Sequence, residues 1–382
     1  MFQSSILLYK DTIPVYKLHN CISNLKTTMD LLKESNRYSR QIPVIGHEGQ
    51  QQLQHARVLC VGAGGLGCPA LLYLNAAGVG TLGIVDGDCV ELSNLQRQIL
   101  FTESDIGKPK AHVARERCLQ QNSSTQLTSY AEYLNATNGQ KLLKDYDIIL
   151  DATDNFDTRY IINHLCRQLK KPLISASILK YEAQIGIFNY QEGPCYQCLY
   201  PEPPTTIGNC AETGVLGVAP GIAGTLQACE TIKLILRQGE ILSGKILTVN
   251  LLTLSFKKFK LPRHRNCQHR CKFTTMQLPQ PITTINIEQL VKLQANSTVQ
   301  LIDVREPTEH TEFNIGGINI PLAMLTQKLS QLDKQQQTVL YCYSGQRSAQ
   351  ACKLLLKHGF INVQHLKGGI AKLHHKHLPL SL

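Results

Sequence analysis

The chain runs to 382 residues, 43% hydrophobic and 18% charged, a globular balance with material for two or three domains, each with its own core. No apolar run approaches the ~18 residues that span a bilayer, which excludes a membrane-spanning helix. The formal net charge of +11 points to nucleotides or an acidic protein partner rather than nucleic acid, because the basic residues are dispersed and no DNA- or RNA-binding module is present.

Residues 1–35 carry little signal and read as an N-terminal extension, with Met29 an alternative start of translation. The 14 cysteines, without a secretion signal, indicate a reducing compartment, read as cytoplasmic, where thiols act as metal ligands or nucleophiles. The segment RYSRQ, which contains Arg40, reads by itself as a solvated helix face.

The stretch from Arg57 to Asp88 organises the rest. A short buried strand, Arg57–Val61, runs into GAGGLG, with Gly62, Gly64 and Gly67 in the G-x-G-x-x-G positions. Glycines let the backbone turn tightly and approach a phosphate, and the helix starting near Leu66 aims its unpaired N–H groups and positive dipole end at the anion. A second strand, Thr81–Val85, ends at Asp86, about 20 residues past the glycines, where a carboxylate can bond ribose hydroxyls. Asn94, Arg97, Lys108 and Lys110 follow closely, an amide and three cations. A dinucleotide dehydrogenase needs no such cluster, whereas a triphosphate does, because cations stabilise charge on departing pyrophosphate. The alternative is a solvated basic loop.

The α/β alternation continues with a helix at 110–120 and strands at 127–133 and 147–152. Thr153, Asp154 and Asn155 then follow at the carboxyl end of a strand. Asp154 there holds Mg²⁺ against the phosphates, caps the helix expected through 160–169, or shares these tasks with Asp151 and Asp157. Strands are expected at 172–177 and 184–190. Cys195 and Cys198 (CYQC) are answered by Cys267 and Cys271 (CQHRC), a pattern for a tetrahedral structural zinc, with His269 an alternative ligand in the imperfect second half. Residues 200–213 form a mobile loop carrying Cys210. A helix at 219–236 and a strand at 245–254 complete the domain.

A linker at 273–284 leads to a smaller α/β domain, with a helix at 285–293 and strands at 299–304 and 338–341. The last strand enters CYSGQRS, residues 342–348. There a strand-to-helix loop wraps Cys342 in backbone N–H groups, the helix dipole points at it, and Arg347 adds a cation; all three favour a thiolate or persulfide anion. The alternative is a structural, buried Cys342.

With these residues in hand the chain resembles the MoeB/ThiF family, relatives of the ubiquitin-activating enzymes, joined to a rhodanese-like domain. RYSRQ, GAGGLG, IVDGD, LSNLQRQ, GKPKA, DATDN, CYQC and NCAETGVLG carry the first resemblance, and LIDVREP, GGINIPL, CYSGQRS and LKGGI the second. The fold implied is a Rossmann-like nucleotide-binding domain with a mostly parallel sheet at 36–272, followed by a smaller α/β rhodanese-like domain at 285–382. The activity implied is ATP-dependent adenylation of the Gly-Gly terminus of a ubiquitin-like sulfur carrier, followed by sulfur transfer from a Cys342 persulfide. Family matching assigns the nucleotide to Gly62, Gly64, Gly65, Gly67, Asp86, Asp88, Asn94, Arg97, Lys110, Asp154 and Asn155, with Asp154 holding Mg²⁺. Arg40 matches an arginine that reaches into a partner subunit, implying a homodimer, and Cys210 a loop cysteine that in some members links covalently to the carrier. The sulfur donor is a cysteine desulfurase or thiosulfate. The pathway is read as molybdopterin synthesis, with a thiamine-type or other carrier as runner-up. An NAD-dependent oxidoreductase shares the glycine loop and Asp86 but leaves Arg97, Lys110 and the second domain unexplained; a regulatory sensor whose C-terminal domain only docks partners is the non-enzymatic alternative.

Overall fold

The computed structural model describes residues 37–202, 214–265, 267, 283–296 and 298–374, and its contacts divide the chain into two units, Met1–Lys272 and Phe273–Leu382. The first is built on an eight-stranded sheet in the order β3-β2-β1-β4-β5-β6-β7-β8. Its strands are β1 (Arg57–Val61), β2 (Thr81–Val85), β3 (Gln126–Tyr130), β4 (Ile148–Asp151), β5 (Leu173–Leu179), β6 (Glu182–Phe188), β7 (Lys245–Asn250) and β8 (Ser255–Lys260). β1 to β5 pair in parallel and β5 to β8 antiparallel, so the sheet is mixed with a parallel core.

β1 shows why an unbroken apolar run suits this place. Val58 and Cys60 join one core with Leu71, Leu74, Ala223 and Ala228, whereas Leu59 and Val61 join another with Leu143, Ile162 and Leu165. The first face is covered by the helices Gly67–Ala76 and Val218–Leu236, the second by Gly139–Leu143 and Phe156–Gln168. A parallel strand covered on both faces has no polar side to display. The strand order reverses between β1 and β4, and the crevice at their carboxyl ends is where such sheets bind ligands.

Several boundaries depart from expectation: the strands expected at 127–133 and 184–190 are Gln126–Tyr130 and Glu182–Phe188. The stretch 245–254 is a strand followed by a turn: Asn250 Oδ1 accepts from the Leu252 and Thr253 N–H groups at 3.0 and 3.2 Å and folds the chain back into β8. The helix expected through 160–169 begins earlier, at Phe156.

The second unit holds a five-stranded, all-parallel sheet in the order β11-β10-β12-β13-β9. These are β9 (Thr283–Ile285), β10 (Gln300–Asp303), β11 (Ile318–Asn319), β12 (Thr338–Tyr341) and β13 (Val363–Leu366). Ile285, expected to open a helix, instead pairs with Leu366, and the helix is Ile287–Asn296. The helix Gln346–Lys357 packs Ala351 and Leu355 into the core beneath β12. Among the described residues no helix is long and apolar enough to cross a membrane.

Candidate functional site

The glycine loop closes on itself and on the end of β4. Gly62 sits at φ +97°, and a Cβ there would lie 2.7 Å from the Ala152 carbonyl; at Gly67 it would lie 2.0 Å from the Gly62 carbonyl. Only glycine allows this approach at the β1/β4 crevice. The loop's rim is made by Asp86, whose Oδ2 accepts from Ala63 N–H and whose Oδ1 accepts from Asp88 N–H, each at 2.8 Å. Burial pushes the Asp86 carboxyl above its ordinary value, while Lys110 pulls it back.

Lys110, 5% exposed, opens the helix Lys110–Gln121 and reaches back to donate to Asp88 Oδ2 at 3.0 Å. Tyr133 donates to the other Asp88 oxygen and lays its ring against Gly87. Arg97 donates to the Ser93 carbonyl at 3.0 Å, and its Cγ lies 3.4 Å from the point a Gly65 Cβ would occupy. Lys110 and Arg97 thus flank the loop. Lys108 does not: it turns to Asp105 at 3.3 Å, beside Arg117, so the expected trio of cations is reduced to two. Asn94 spends its Oδ1 on the Glu91 N–H at 3.1 Å, closing a short turn.

Asp151, which ends β4, and Asp154 just beyond it differ in environment. Asp151 is fully buried and accepts from Thr153 N–H, Thr153 Oγ1 and Ser175 Oγ, with Arg159 at 3.7 Å, which leaves it no role as a cation ligand. The helix cap is Asn155, whose Oδ1 accepts from Thr158 N–H at 2.9 Å, and not Asp154. Asp154 is exposed beside the crevice. Gln98 was not singled out by sequence reasoning, yet its Oε1 is buried without a hydrogen-bond partner and its amide nitrogen lies 3.8 Å from the Gly64 Cβ position. An orphan acceptor over an open glycine turn fits a bound nucleotide. Its only sequence signal was its place in LSNLQRQ.

Cys195, Cys198 and Cys267 converge with sulfur separations of 3.5, 3.6 and 3.8 Å. A tetrahedral zinc with Zn–S near 2.3 Å spaces its sulfurs roughly 3.8 Å apart, so this donor set fits the ion. A hydrogen bond with Cys195, with help from the His264 N–H, holds the Cys198 thiol below its ordinary value. Cys271 and His269 lie outside the described residues, as does Cys210. Arg40 is exposed in the segment that precedes the helix Ile42–His55.

In the second unit Cys342 directly follows β12 and is fully buried. Its Sγ accepts from Gly345 N–H at 3.1 Å and Ser348 N–H at 3.4 Å, the expected wrapping by backbone donors. Arg347 keeps its charge in electrostatic reach of the sulfur, but its donors face elsewhere. Its two terminal nitrogens donate to Glu309 at 2.6 and 2.7 Å instead of standing open beside the sulfur.

A nucleotide crevice lined by two cations, in a chain whose second unit cradles a cysteine in a strand-to-helix loop, defines a protein that activates a group with a nucleotide and carries a reactive sulfur. The chain belongs to the ThiF family, which it matches over residues 38–271, and matches the rhodanese-like domain over 286–376. It is 40% identical over 361 residues to the probable molybdopterin-synthase adenylyltransferase of Porphyra purpurea, covering 91% of this chain and 94% of that protein. It is also 40% identical over 339 residues to the adenylyltransferase and sulfurtransferase MOCS3 of Culex quinquefasciatus, covering 88% of this chain and 73% of the relative. Among solved structures, E. coli MccB with ATP superimposes with a TM-score of 0.53 at 25% identity, over 67% of this chain and 81% of that one.

Proposed function

We propose that the chain is an enzyme that uses ATP to adenylate the C-terminal glycine of a ubiquitin-like sulfur carrier, of the molybdopterin-synthase small-subunit type, and delivers sulfur to it from a persulfide on Cys342. The observation that carries the reading is Lys110, a buried cation at the mouth of the glycine loop, in a chain that also cradles Cys342. The names of both relatives and the ATP in the MccB structure support it.

In this reading a carrier carboxylate oxygen attacks the α-phosphorus, the bond to the bridging oxygen breaks, and pyrophosphate leaves with the electron pair. Asp86 takes the ribose hydroxyls. Lys110, oriented by Asp88, and Arg97 meet the charge that grows on the leaving group. Asp154 would hold Mg²⁺, which screens the phosphate oxygens. The persulfide anion then attacks the acyl carbonyl and AMP departs, leaving the carrier joined to Cys342 through a disulfide. A thiol reductant then attacks the Cys342 sulfur; the carrier leaves as thiocarboxylate, Cys342 is left as a mixed disulfide with that thiol, and a second equivalent of thiol frees it. Cys210 is, by family matching, the candidate for a covalent link to the carrier. Zinc on Cys195, Cys198, Cys267 and Cys271 is structural. The protein works as a cytoplasmic homodimer, with a cysteine desulfurase or thiosulfate as sulfur donor.

ATP–pyrophosphate exchange tests the reading: it should require a carrier ending in Gly-Gly. Exchange driven only by a thiamine-type carrier would favour the runner-up, and exchange indifferent to any carrier would end the proposal.

A further inference from the structure

Arg347 directly follows the Cys342 loop and lies in electrostatic reach of its sulfur. A guanidinium there would ordinarily draw an oxyanion donor, because its parallel N–H groups match the oxygens of a sulfonate or thiosulfate as they match a carboxylate. In this chain that face is occupied: Glu309 Oε2 accepts from Nη1 at 2.6 Å and Oε1 from Nη2 at 2.7 Å.

The carboxylate is itself held in place. Glu309 is the third residue of the helix Pro307–Glu312 and also accepts from the Glu306 N–H at 3.0 Å, closing a capping box. The same helix is tied to the sheet at its other end. His310 Nδ1 meets Asp303 Oδ2 at 2.8 Å, and Arg305, buried against Asp303, donates to the Phe313 carbonyl at 2.5 Å. Glu309 therefore stands on a braced element, and Arg347 cannot turn to an incoming anion without breaking two charge-assisted bonds.

We propose that Glu309 is a specificity-determining residue that screens Arg347 and so suppresses the use of small oxyanion sulfur donors; this rests on the sulfurtransferase reading of Cys342. With thiosulfate the step would run as follows. The Cys342 thiolate attacks the outer sulfur, the S–S bond of thiosulfate breaks, sulfite leaves with the electron pair, and the persulfide anion remains on Cys342. Sulfite and the bound donor both carry negative charge that a released Arg347 would neutralise.

The test uses the full chain with thiosulfate as donor and cyanide as acceptor. Glu309→Gln should lower KM for thiosulfate about tenfold, the scale of one freed charge-assisted contact, and adding Arg347→Gln should abolish that gain. A gain of affinity is not an outcome that misfolding can imitate. If Glu309→Gln does not fold, Glu309→Asp, too short to keep both bonds, should show a smaller fall in KM. An unchanged or higher KM in the variant that folds, or a gain that survives loss of Arg347, overturns the screen. Equal turnover by Cys342→Ser and the unaltered chain would instead remove the sulfurtransferase reading beneath it.

Discussion

Lys110 is nearly enclosed, yet its ammonium bonds Asp88 and acts on Asp86. A buried cation tied to a half-exposed carboxylate is a positioned one, so its removal should cost transition-state stabilisation more than folding. Lys110→Ala is expected to slow carrier-dependent pyrophosphate exchange about 10²–10³-fold, the usual scale for one electrostatic group at a departing anion. Asp88→Asn should give a smaller loss, seen chiefly as a higher KM for ATP, because Lys110 keeps its charge but loses its anchor. At this scale the glycine turn was legible because local spacing dictates it, and Asp86 and Lys110 were picked out by their order after it, although their contacts form only in the fold. Gln98 and Glu309 were not. The orphaned oxygen of Gln98 and the pairing of Glu309 with a residue 38 positions away exist only once the chain is folded. Lys108 was misread for the same reason, since Asp105 and not the nucleotide crevice receives it.

Among the elements, the strands flanking the glycine loop could be read to the residue, because a strand buried on both faces is written as an unbroken apolar run. β8 and β9 could not. β8 is SFKKFK at the sheet edge, with Phe256 and Phe259 more than half exposed, and β9 is three residues long. The cysteine cluster was legible as a pattern, and the converging sulfurs give it a consequence. The purified chain should carry zinc, and Cys195→Ser should lose it and lower the first thermal transition by several degrees; metal analysis with calorimetry would show both, and a metal-free chain of unchanged stability would refute a structural zinc. In the second unit Arg347 holds the Glu309 carboxyl at about 2, against an ordinary 4.5. The folded value is the lower one, so the unfolded state binds more protons within that interval. The pair's contribution is complete above about pH 4.5 and fades as pH falls toward 2. Reaction of the enclosed Cys342 with dithiodipyridine, which attacks thiols even in acid, reports opening of this unit. Its protection should fall across that window in the unaltered chain and vary less with pH in Glu309→Gln.

For the molecule as a whole, the open question is how many chains complete one site. Arg40 is exposed in its own chain, and Val44, Leu92 and Ile99, neighbours in sequence of Arg40 and Arg97, are 80%, 66% and 63% exposed. These are side chains that the proposed partner subunit would cover if it docks on this side. If the proposed homodimer lends Arg40 across its interface, Arg40→Ala and Lys110→Ala each empty both sites of a pure dimer, but they empty different positions. In a mixed dimer, the site on the Arg40→Ala chain has its own Lys110 and receives an intact Arg40 from the other subunit, while the opposite site lacks both. Random exchange makes half of the dimers mixed, each with one competent site of two, so the mixture should recover about a quarter of the unaltered pyrophosphate exchange. Recovery requires that Arg40 act in trans. If Arg40 served its own chain's site, every site in the mixture would lack one residue or the other, and activity would stay at the level of the separate variants.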